Sequence, residues 1–111
     1  MKSSLEAFLE LMEANRNGLA KGIYSVCTAH PEVLEASFKQ AKRDKSLLLI
    51  ESTSNQVDQY GGYTGMKPLD FVEFINGIAE KTDFPKEMIL LGGDHLGPNP
   101  WRKLPAAEAM D

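Results

Sequence analysis

Apolar residues recur at Leu5, Phe8, Leu9 and Met12 with Glu6, Glu10 and Glu13 between them, the three-to-four-residue period of an amphipathic helix. Ser3 or Ser4 supplies an N-cap and Gly18 a stop, so this helix is expected to run to about Asn17. The pattern then changes. Gly22 to Ala29 is nearly uncharged and β-rich, and reads as a strand. His30-Pro31-Glu32 opens a second helix, with Pro31 in its first turn, that continues through Arg43. Ser46 to Thr53, with four consecutive aliphatic residues at its heart, reads as a second strand. A polar loop over 54–66 follows. Pro68 then starts a third helix whose apolar face is Leu69, Phe71, Val72, Ile75 and Ile78, ending near Thr82–Pro85. Glu87 to Gly93 reads as a third strand, and Pro105 opens a last helical segment.

Helices alternating with strands that are apolar on both faces predict an α/β fold, a parallel sheet covered by helices. The spacing suits βα units of a (β/α)8 TIM barrel, but three strands cannot close one of about 250 residues. The expectation is therefore an N-terminal helix at 1–18 followed, over 22–111, by the first three βα units of an apparently truncated barrel. A three-stranded parallel sheet leaves two long apolar edges, so poor stability is expected of this chain in isolation.

Composition narrows the function classes. Of 111 residues, 12 are basic and 16 acidic, giving a net charge of −4, and the densest basic cluster is Lys42-Arg43-Asp44-Lys45. Nucleic-acid binding needs a basic footprint that is not present. The longest apolar runs, Leu47–Ile50 and Met88–Leu91, are far too short to cross a bilayer. The N-terminus has no signal-peptide core, and the single Cys27 fits a reducing compartment; the expectation is a cytoplasmic protein.

Each predicted strand turns polar at its C-terminal end: Cys27-Thr28-Ala29-His30, then Glu51 to Gln56, then Asp94-His95. These ends share one rim in barrels and doubly wound sheets, where ligand sites lie. Asp94 and His95 read either as an acid/base group beside a metal ligand or as a capping Asp beside a structural His. Catalytic zinc needs three protein ligands, and His30 and His95 are the only histidines. Cys27 and His30 have a metal-compatible spacing, although Cys27 on a buried strand reads more simply as a small packed hydrophobe. Counting by twos places Leu47, Leu49, Glu51 and Thr53 on one face. Glu51 is then either buried, demanding a partner or a protonated carboxyl, or far enough along the strand to reach water.

The loop 54–66 carries amides, hydroxyls and glycines able to bond sugar hydroxyls or phosphate, with Ser54, Asn55 and Gln56 nearest the rim. Its glycines are equally explained by positive φ. Gly61-Gly62-Tyr63-Thr64-Gly65 is not followed by the lysine and hydroxyl of a P-loop, so ATP binding by that mechanism is not supported. Gly92 and Gly93 would let a substrate approach the backbone. Trp101 reads as a cover for the barrel exterior or as an anchor for a partner.

Three segments, Gly22-Ile23-Tyr24-Ser25-Val26-Cys27-Thr28-Ala29-His30-Pro31, Glu51-Ser52-Thr53-Ser54-Asn55-Gln56-Val57 with Gly61-Gly62-Tyr63-Thr64-Gly65-Met66, and Gly92-Gly93-Asp94-His95-Leu96-Gly97-Pro98-Asn99-Pro100-Trp101, strongly resemble the accessory Z-type subunit of class II D-tagatose-1,6-bisphosphate aldolase. That family is also labelled tagatose-6-phosphate kinase. The resemblance implies a class II aldolase-like barrel in galactitol or N-acetylgalactosamine catabolism, assembled as an oligomer with a catalytic subunit whose activity and stability it supports. It implies a sugar-phosphate ligand and the possibility of zinc. By motif, the acid/base role would fall on Asp94, as an active or vestigial group, and the metal-ligand role on His95. Glu51, Ser54, Asn55, Gln56 and Gly93 would be the substrate contacts. The accessory subunit is regarded as non-catalytic on its own; the alternatives are a metal-dependent ketose-bisphosphate aldolase and, more remotely, a tagatose-6-phosphate kinase.

Overall fold

A computed structural model describes residues 2–111. Its elements are α1 (Ser4–Arg16), β1 (Ser25–Cys27), α2 (Pro31–Asp44), β2 (Leu48–Thr53), α3 (Pro68–Lys81), β3 (Ile89–Asp94) and α4 (Ala106–Met110), with 3-10 turns at Lys86–Met88 and Asn99–Trp101. The three strands form one parallel sheet in the order β1-β2-β3, as successive βα units of a barrel do. The α/β expectation therefore holds.

Local chemistry explains the element ends. Ser3 caps α1: its hydroxyl accepts from the Glu6 N–H at 3.2 Å while its own N–H donates to the Glu6 carboxylate at 2.9 Å. Gly18, at φ 84°, takes the left-handed conformation that ends the helix. Pro31 and Pro68 stand at the starts of α2 and α3, where a missing N–H costs nothing.

Helices α2 and α3 pack on one face of the sheet. Leu34, Phe38 and Ala41 from α2 meet Phe71, Ile75, Ile78 and Ala79 from α3 above Leu48 and Ile50 of β2. Phe84 closes this core edge-on to Phe38, with ring centroids 5.2 Å apart. Leu69 is left out of the predicted apolar face of α3, 69% exposed, and Ala79 joins that face. α1 buries no residue, although Ala7 and Leu11 line a cleft with Leu47 and Met88 at the N-terminal end of the sheet.

The structure corrects four sequence expectations. β1 spans only Ser25–Cys27, not Gly22 to Ala29, because it lies at an edge and pairs on one side alone. β3 starts at Ile89, two residues late, since Pro85 leads into the 3-10 turn at Lys86–Met88. Its Leu91, Gly92 and Gly93 are exposed, so the expectation of strands apolar and covered on both faces fails for this edge strand. The fourth correction is Cys27: expected as a packed hydrophobe, it is exposed.

Candidate functional site

The parallel register decides which side chains share a face. Ser25, Val26 and Cys27 of β1 align with Leu49, Ile50 and Glu51 of β2, and the last of these aligns with Gly92 of β3. Thr53 aligns with Asp94. Since side chains alternate and aligned residues point the same way, Leu48, Ile50 and Ser52 belong to the helix-covered face. Leu49, Glu51, Thr53, Cys27 and Asp94 share the opposite face, which would be the lumen side of a barrel. Counting by twos thus placed Glu51 correctly, at intermediate exposure and not fully buried. Leu47, counted with it, is buried ahead of the strand.

Cys27 senses the two carboxylates that share its face. The Cys27 thiol is pushed above its ordinary range, first by desolvation and then by the negative charges of Asp94 and Glu51. Its sulfur lies 3.9 Å from Gln56 Oε1, toward which the thiol points as a weak donor.

Asp94 ends β3, and His95 follows it in the left-handed region at φ 50°. That turn folds the two side chains together. Asp94 Oδ1 accepts the His95 backbone N–H at 2.9 Å, and Oδ2 lies 3.5 Å from His95 Nε2. The imidazole is 75% exposed. Gly93 sits on the helix-covered side of the strand, where a Cβ would come within 2.7 Å of the Leu96 side chain. Zinc demands three protein donors. Among the described residues no three His, Cys, Asp or Glu side chains converge, so these residues do not by themselves make a catalytic zinc site. His30 stands apart, its N–H bonded to Thr28 Oγ1.

The polar loop 54–66 is largely occupied with itself. Asp58 Oδ1 accepts from the N–H groups of Tyr60 and Gly62, and the Tyr63 N–H donates to the Asn55 carbonyl. The N–H groups of Gly61, Thr64 and Gly65 likewise find carbonyls within the loop, and that of Met66 finds Thr64 Oγ1. A phosphate cradle needs free backbone donors. Here every N–H from Tyr60 to Met66 is spent. Gln56 Oε1 accepts from the Thr53 N–H at 2.8 Å, and Ser54, 7% exposed, donates its hydroxyl to the His95 carbonyl. Asn55 is exposed. Trp101 meets Tyr60 edge-on at 6.2 Å and, with Val57, Pro68 and Leu96, lines a cleft of about 400 Å³ behind the rim.

The chain is similar to known proteins in sequence and fold. The family described as D-tagatose-1,6-bisphosphate aldolase subunit GatZ/KbaZ-like matches residues 8–111. The chain belongs to this family. A solved structure described as "a probable tagatose 6 phosphate kinase from Sinorhizobium meliloti 1021" is 61% identical, with a TM-score of 0.77 over 80% of this chain. The present GatZ/KbaZ-like chain covers 23% of that neighbour's length. All three sequence segments that carry the resemblance fall within the family match. No helix among the described residues is long and apolar enough to cross a membrane. The Ser54–His95 link went unnoticed in the sequence, because a serine after a strand carries no mark of which carbonyl it will meet.

Proposed function

We propose that this chain is part of a non-catalytic accessory subunit of class II tagatose-bisphosphate aldolase, a cytoplasmic protein that raises the activity and stability of a separate catalytic subunit. The pathway would be breakdown of tagatose 6-phosphate, galactitol or N-acetylgalactosamine. The observation that carries this reading is the match of residues 8–111 to a family of aldolase subunits, with the Asp94–His95 pair at the strand end. On this reading Asp94 is a vestigial acid/base group and His95 a residual ligand position. Glu51 and Asn55 face or flank the rim where a sugar phosphate would lie, and Ser54, Gln56 and Gly93 shape it. The kinase alternative gains nothing from the glycine-bearing turn of the loop, where every backbone donor from Tyr60 to Met66 is already bonded.

The test is co-expression of the full-length protein, wild type or carrying Asp94→Ala or His95→Ala, with the catalytic subunit. The expected result is a gain in aldolase activity and heat resistance that both variants retain. No gain from the wild type overturns the accessory role. Zinc binding and retro-aldol cleavage by the full-length protein alone, both lost in the variants, would instead establish a metal-dependent aldolase.

A further inference from the structure

The parallel ladder between β2 and β3 ends at Thr53 and Asp94. Past that pair the backbone of β2 turns away, because the N–H groups of Gln56 and Val57 fold back onto the Thr53 carbonyl. The next two residues, Ser54 and His95, are joined by a side chain: Ser54 Oγ donates to the His95 carbonyl at 2.9 Å. We infer that Ser54 is a positioning residue, whose buried hydroxyl pins the His95 carbonyl and so fixes the turn that holds the Asp94–His95 pair at the rim.

Three observations converge on this role. His95 is a non-glycine residue in the left-handed region, a conformation that persists only where the surroundings over-determine it. Its own N–H is bound by Asp94 and its carbonyl by Ser54, so both sides of the residue are fixed. Leu96 then folds back over Gly93, which has no Cβ to obstruct it. Ser54 is at the same time poorly suited to touch a ligand directly, being buried with its single hydroxyl proton already engaged. The sequence marks Ser54 as a substrate contact, whereas its geometry makes it a brace behind the groups that face solvent.

The inference rests on reading Asp94 and His95 as the rim's ligand-facing pair, but its test does not depend on whether the subunit is catalytic. Hydrogen exchange, read by mass spectrometry in peptides of the full-length protein, would compare wild type with Ser54→Ala, Ser54→Thr and Ser52→Ala. Ser52 is similarly buried two residue pairs earlier and serves as the control. Loss of one hydrogen bond should speed exchange at residues 93–98 by roughly tenfold in Ser54→Ala, with residues 48–51 unchanged. Ser54→Thr, which keeps the hydroxyl, should stay near wild type, and Ser52→Ala should leave residues 93–98 protected. Unchanged exchange at 93–98 in Ser54→Ala overturns the proposal. So does equal acceleration in the core, which would indicate a general packing role, or a Ser54→Thr variant that exchanges as fast as Ser54→Ala.

Discussion

Cys27 and Glu51 stand opposite one another in the register of β1 and β2, on the face turned away from α2 and α3. Exposure would normally make such a thiol reactive, but desolvation, and then the charges of Asp94 and Glu51, raise its pKa and deplete the thiolate that reacts. Alkylation of Cys27 by iodoacetamide is therefore expected to be slow near neutral pH, with its rate profile displaced to higher pH than that of a free thiol. Asp94→Asn and Glu51→Gln should each move the profile part of the way back, because burial remains the larger cause. Superimposable profiles for wild type and both variants would show that the three groups do not interact.

Gly62 and Gly65 both have positive φ, at 56° and 79°, yet they differ in what surrounds them. A Cβ on Gly62 would fall 2.4 Å from the Gln56 carbonyl oxygen and 2.8 Å from the Val57 nitrogen, both backbone atoms. A Cβ on Gly65 would meet nothing within 4 Å. Gly65→Ala should cost only the left-handed backbone term, about 1–2 kcal/mol. Gly62→Ala adds overpacking against main chain, for a total of roughly 2–5 kcal/mol. Urea denaturation of the full-length protein would order the two variants, and equal losses would show that the loop yields at Gly62.

This contrast also shows where the sequence stops being legible. Alternation of helix and strand patterns, proline at the starts of α2 and α3, and the parity that puts Glu51 with Thr53 are local signals, and they survive in the structure. The length of β1 and the exposure of Cys27 depend on which strands neighbour which, information that periodicity does not carry. The glycines of loop 54–66 fit two readings until hydrogen bonds are seen. Asp58 gathers two N–H groups and Thr64 bridges back to Gln56, so the amides and hydroxyls that suggest ligand chemistry largely hold the turn together.

Glu35 on α2 lies between two lysines, Lys81 of α3 and Lys39 one helical turn on, each 2.9 Å away. Hydrogen bonds from Lys81 and then Lys39 pull its carboxyl from 4.5 down to about 2. A depressed carboxylate stabilises the fold above its unfolded pKa and loses that contribution as pH falls through the folded value. Glu35→Gln should therefore be less stable than wild type at neutral pH, with the gap closing between pH 4.5 and about 2. Because Glu35 is only half-buried and both lysines are exposed, the gap should also shrink at high salt. A difference that is independent of pH over this window would place the effect in packing and not in charge.

The accessible surface of the chain is 7451 Å², whereas a compact monomer of this mass would expose about 6,100 Å². Its radius of gyration, 16.0 Å, likewise exceeds the roughly 13 Å expected for a compact domain of this length. The excess has a structural address. β1 and β3 are both open edges, Leu91 is exposed on the latter, and α1 leaves Leu5 and Leu9 in solvent. Uncovered edge strands pair with other chains. The isolated 111-residue chain should accordingly unfold without a sharp thermal transition and associate as its concentration rises, while a longer protein that continues the sheet at both edges should do neither. Calorimetry with light scattering over a tenfold concentration range decides the matter. A monomer that melts cooperatively would show that the core around Phe38 and Ile50 is sufficient without edge partners.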